Sequence, residues 1–188
     1  VAEHDPNMMI VGFKNLWLSK NIRDNGNIVW TKITNNLGNS NDVNGRVVEH
    51  SPADFNVFYY VRGDNKVWRS DNLLDHPTWN EISGNLPGGG SVRDLECHPY
   101  DSYTVYMTLG NKVYKSIDKG INWEDISGSL PDLAMMDIAF DKTADEGLYV
   151  ATMTGVFYKD ASMEDWVQYG LGLPVSVHAR EVEIYYDR

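Results

Sequence analysis

The chain has 188 residues, of which 42% are hydrophobic and 12% aromatic, with 27 acidic against 16 basic side chains and a formal net charge of −11. That composition is globular rather than disordered. The acidic surplus excludes nucleic acid and anionic membrane surfaces as partners, because both are held through clustered Lys and Arg.

In chain order, Glu3-His4-Asp5-Pro6 reads as the close of a strand, Met8–Gly12 as a second and Leu16-Trp17-Leu18 as a third, with Asn25-Gly26 marking a hairpin loop ahead of Trp30. A polar connector, residues 35–42, follows. The grammar then recurs. Arg46–Pro52 is a strand ended by Pro, which cannot donate to a ladder. Val57–Val61 is a nearly continuous apolar run, as expected of a strand buried on both faces, and Gly63-Asp64-Asn65 turns it into Val67–Ser70. Arg93–Pro99, Thr104–Met107 and Val113–Lys115 form a third set, and Met136–Asp141, Leu148–Thr152 and Val156–Tyr158 a fourth. Ala179–Tyr185 begins a fifth. No apolar spacing of three and four persists past two turns, so no helix of useful length is predicted and the class is all-β. No run of about 18 apolar residues encodes a membrane span.

Each set ends in a similar tail: Trp30–Leu37, Trp79–Pro87, Trp123–Pro131 and Trp166–Pro174. Successive tryptophans stand 49, 44 and 43 residues apart, the length of a four-stranded propeller blade. Upstream of them come Trp17, Trp68, Tyr114 and Phe157, and two residues beyond those Ser19, Ser70, Ser116 and Lys159. The third copy carries a full loop motif, Ser116-x-Asp118-x-Gly120-x-x-Trp123. Its short oxygens can take nearby backbone N–H groups, its Gly can adopt the positive φ that closes the turn, and its Trp can fold back over the strands. Asn21 and Asn72 replace the Asp in the first two copies, and the fourth copy has lost the Ser, Asp and Gly.

This motif resembles the Asp-box of BNR-type β-propellers, shared by sialidases, sortilins, family 74 xyloglucanases and many secreted bacterial proteins. The closing Gly172-Leu173-Pro174-Val175 with Arg180–Tyr185 is similar to the last repeat of secreted Bacteroidetes surface proteins with sorting-domain tails. The resemblance implies a propeller of four-stranded antiparallel blades, here residues 1–42, 43–88, 89–131 and 132–174, with 175–188 the inner strand of a further blade. It implies a segment of a larger ring of roughly six to eight blades, whose remaining blades lie in the same protein or another chain. It also implies a secreted or cell-surface location. The absence of any Asn-x-Ser/Thr sequon is compatible with a bacterial source.

Within a propeller the loop motif lies at the periphery, so Ser116, Asp118, Gly120 and Trp123 are expected to be structural. Aligning the inner strands places Arg46, Arg93, Met136 and Arg180 in one column and Val47, Asp94, Asp137 and Glu181 in the next. Glu3, Glu49, Glu96, Ala139 and Glu183 share a third. Charges repeated on a central strand need partners or water. Two readings follow: Arg and carboxylate columns pair around a wet channel, or Arg93, Asp94, Asp137 and Arg180 converge on a site for a glycan or protein ligand.

Hydrolysis of a glycoside requires two carboxylates roughly 5 to 9.5 Å apart. Asp94, Asp137 and Glu181 come from adjacent repeats, and Asp64 is the one Asp in the turns between second and third strands. No Arg is followed by Ile-Pro, as the sialidase family requires. Cys97 stands alone and reads as a buried small hydrophobe, and the five His show no i, i+4 pair, so neither cofactor nor metal is expected. The reading is a non-catalytic module for binding, adhesion or scaffolding. The alternative is part of a xyloglucanase-like glycoside hydrolase acting on neutral polysaccharide.

Overall fold

A computed structural model describes residues 5–12, 14–35, 37, 45–170, 172 and 178–186. The chain divides into two compact units, Val1–Gly84 and Asn85–Arg188. Every sheet is an antiparallel meander in chain order.

The first unit holds two sheets. One has three strands, β1 (Met9–Gly12), β2 (Leu16–Ser19) and β3 (Thr31–Lys32). The strand expected to close at Glu3–Pro6 lies largely outside the described residues. The other sheet has four, β4 (Gly45–His50), β5 (Phe58–Arg62), β6 (Val67–Ser70) and β7 (Asn80–Glu81). The apolar run forming β5 is buried along its whole length. Leu16 from one sheet packs with Phe58 and Tyr60 from the other, joined by Leu73, with Trp68 and Trp79 against them. Arg62, at the end of β5, is buried, ion-paired to Asp64 at 3.2 Å and hydrogen-bonded to the Leu37 carbonyl.

The second unit repeats the plan twice, with β8 (Val92–Cys97), β9 (Val105–Leu109), β10 (Lys112–Ser116) and β11 (Glu124–Asp125), then β12 (Met135–Asp141), β13 (Gly147–Thr152), β14 (Gly155–Lys159) and β15 (Val167–Tyr169). Its core joins Tyr106 and Val113 of one sheet to Ile138, Phe140, Leu148, Val150 and Trp166 of the other. β9, like β5, is wholly buried, and Cys97 is buried and forms no disulfide.

Residues 178–186 form no ladder with a described strand, although Ala179–Tyr185 reads from the sequence as an inner strand. They nevertheless lie along β12. Ala179 donates its N–H to the Thr152 carbonyl at 3.0 Å, as Met135 does to Gly110 at 2.9 Å one blade earlier. Thr152 closes β13, and the contacts of this segment to β12 itself run through side chains.

Candidate functional site

The innermost strands β4, β8 and β12 each carry a bulge at the same place, between Gly45 and Val47, Val92 and Asp94, and Met135 and Asp137. The column of Arg46, Arg93 and Met136 is therefore the column of extra bulge residues, which stand outside the ladder register. The residue after each bulge resumes the register, which gives Asp94 and Asp137 equivalent positions in adjacent blades.

Neighbouring inner strands do not share a main-chain ladder, so their facing N–H groups need another acceptor. The carboxylates supply it. Asp94 Oδ2 accepts the Ile138 N–H at 3.2 Å, and Glu96 Oε1 accepts the Phe140 N–H at 3.0 Å. One blade on, Asp137 Oδ2 accepts the Val182 N–H at 2.6 Å. Tyr186 adds a hydroxyl that accepts the Lys142 N–H at 2.8 Å and lies 3.4 Å from the Phe140 carbonyl.

These groups line a pocket of about 310 Å³ that presents Asp94, Glu96, Asp137, Glu181, Glu183 and Lys142. Burial, then the charge of Asp137 and a hydrogen bond with it, push the Asp94 carboxyl up to about 8 against the pull of the Ile138 and Leu95 N–H groups. At neutral pH the Asp94 carboxyl therefore keeps its proton. The two carboxyls can hold two strands together or receive a positively charged group at their rim.

Of the four residues expected to converge, Asp94 and Asp137 meet. Arg93 and Arg180 do not: both are exposed, neither lines the pocket, and neither makes an ion pair with a described residue. The pairing of Arg with carboxylate columns is thus replaced by carboxylate to backbone. Arg46 is turned back on its own blade, to the Gly63 carbonyl at 3.1 Å and Asn65 Oδ1 at 3.3 Å. Glu96 and Glu183 were flagged by their column. Lys142 and Tyr186 were not, because no repeat partner marks them.

The loop of Ser116–Trp123 is built as its residues suggest. Ser116 Oγ donates to Asp118 Oδ1 and accepts the Gly120 N–H, each at 2.8 Å. Asp118 accepts the N–H groups of Ile121 at 3.0 Å and Asn122 at 2.8 Å, and Gly120 takes φ +83°. Trp123 is half-buried, and its buried Nε1–H has no hydrogen-bond partner among the described residues. Asp64 is committed to Arg62. Among the described residues no three His, Cys, Asp or Glu side chains are placed to hold a metal ion.

No family model matches the chain, and no curated protein matches it. Solved structures do. An ancestral GH74 enzyme aligns at TM-score 0.67 and 20% identity over 94% of this chain and 26% of its own. The Cps50 (Swd1) β-propeller domain of Myceliophteria thermophila aligns at TM-score 0.67 and 14% identity over 95% of this chain and 55% of its own. YCF48 bound to a D1 peptide aligns at TM-score 0.62 and 14% identity over 86% and 49%. At these identities the likeness establishes the fold alone: an all-β chain of β-propeller blades. It spans about half or less of the length of these neighbours.

Proposed function

We propose that this chain is a non-catalytic β-propeller module of a secreted or cell-surface protein, with repeats of the Asp-box type, serving binding, adhesion or scaffolding. The remaining blades come from the same protein or from another chain. The observation that carries the reading is the commitment of Asp94 and Asp137, each of which accepts a backbone N–H from the adjacent inner segment. Carboxylates engaged by backbone N–H groups lace the strands together, whereas a glycosidase needs a free pair flanking the scissile bond, roughly 5 to 9.5 Å apart. The YCF48 structure with a bound peptide supports a protein ligand for a fold of this kind.

A second reading, part of a glycoside hydrolase acting on neutral polysaccharide, draws on the likeness to GH74 enzymes and on the raised pKa of Asp94. The commitment of Asp64 to Arg62 weighs against it. Reducing-end release from xyloglucan decides between them. The expected result is no release above that of the Asp94→Asn/Asp137→Asn double variant. Release that the double variant lacks would establish the hydrolase.

A further inference from the structure

A groove of about 580 Å³ in the first unit is lined by basic rather than acidic side chains, against the net charge of the chain. Its floor is Leu18 and Leu73, both buried, and its walls include Lys20, Lys32, Val29 and Pro77. Among the described residues, the two lysines and His76 are its only ionisable lining, with no Asp or Glu. In a chain with 27 acidic and 16 basic side chains, that is a local reversal of the overall charge.

The cations there are not neutralised. Lys20 Nζ donates to the Leu74 carbonyl at 3.2 Å, which fixes the ammonium without cancelling its charge. Lys32 makes no ion pair with a described residue, and His76 meets only the solvent-exposed Asp75, at 4.0 Å. Beside the groove runs β3, the outermost strand of its sheet among the described residues. Ile28 and Val29, 47% and 62% exposed, lead into it.

From this combination we infer a docking groove for an extended acidic peptide, its carboxylates on Lys20 and Lys32 and its apolar side chains over Leu18, Val29 and Leu73. Charge complementarity selects the acidic partner. The open strand edge favours a peptide over an acidic glycan, because a strand edge offers main-chain donors and acceptors that another extended main chain can satisfy. The groove is separate from the Asp94–Asp137 pocket, and the inference does not depend on whether that pocket is catalytic.

The test is fluorescence anisotropy of the whole chain with a labelled peptide of alternating Glu and Val, against one of alternating Lys and Val. The expected result is binding of the acidic peptide alone, weakened by added salt and reduced about tenfold or more in Lys20→Glu/Lys32→Glu. Both lysines are exposed, so the variant should melt as the parent does; if it does not, Lys20→Gln/Lys32→Gln takes its place. The inference is overturned by no binding, by equal binding of the basic peptide, by binding indifferent to either double variant, or by binding of polygalacturonate in place of the acidic peptide.

Discussion

Three loops of different length close on the same hydrogen bond. Asn21 Oδ1, Asn72 Oδ1 and Asp118 Oδ1 each accept the N–H of the residue before the tryptophan, Val29, Thr78 and Asn122, at 2.9, 2.8 and 2.8 Å. In each, a serine two residues earlier donates to that same oxygen. The chemistry required is one short side-chain oxygen, which Asn supplies as well as Asp. Asp118→Asn should therefore leave the melting temperature nearly unchanged, whereas Asp118→Ala strips the acceptor from several loop N–H groups and should cost about 1 kcal/mol in chemical denaturation. The Asp94 carboxyl gives the second expectation at this scale. Its folded pKa, about 8, lies above its ordinary 3.8, so the folded chain keeps a proton that the unfolded chain has lost. The stability this confers is full below about pH 4 and is lost as the pH rises through about 8. The melting temperature should fall between about pH 4 and pH 8, and Asp94→Asn should flatten that fall. An identical slope in parent and variant would show that Asp94 titrates as an ordinary carboxylate.

Three of the four blades are latched at the outer strand by the residues of the tryptophan tail. The residue three beyond the Trp donates its N–H to the third strand: Ile33 to Leu16, Ile82 to Val67 and Ile126 to Val113. The next residue offers a hydroxyl, and Thr34, Ser83 and Ser127 accept the N–H groups of Leu16, Val67 and Val113, each at 2.9 Å. Ser127 is buried, so Ser127→Ala leaves the Val113 N–H without a partner and should cost about 1 to 3 kcal/mol. Ser127→Thr should cost less, since Thr34 already does the work in the first blade. The tryptophans also tie blade to blade within each unit, Trp79 Nε1 donating to the Ile33 carbonyl at 2.9 Å and Trp166 Nε1 to the Ile126 carbonyl at 2.8 Å. Trp166 is 5% exposed, and Trp166→Ala should destabilise by about 3 to 5 kcal/mol in denaturant unfolding. The tail was legible in the sequence because it is local and recurs at a fixed spacing. The fourth loop was legible only as a loss: in place of the missing serine, Lys159 donates to the carbonyls of Met163 at 3.2 Å and Glu164 at 2.7 Å.

At the scale of the whole molecule, strand content and blade repeat could be read from the recurring aromatic, Pro and Trp positions. The inner edge could not. The column holding Arg46 and Arg93 suggested ion pairs, but a bulge sets those positions apart from the ladder, and no pattern in one strand announces which side chain will face the next blade. Asp94 and Asp137 were found because the repeat aligned them; the raised pKa of Asp94 depends on burial and on the register between blades, neither of which is local. The same lacing extends to residues 178–186, where a side chain rather than a ladder meets the backbone. Hydrogen exchange at the Val182 amide is the most direct measurement of it. Val182 lies in no strand, yet its N–H is held by Asp137 at 2.6 Å. The expected result is slow exchange in the parent and selective loss of that protection in Asp137→Ala, with the amides of β9 and β13 still protected. Exchange at Val182 in the parent as fast as in an exposed loop would contradict the structural role assigned to the inner-strand carboxylates.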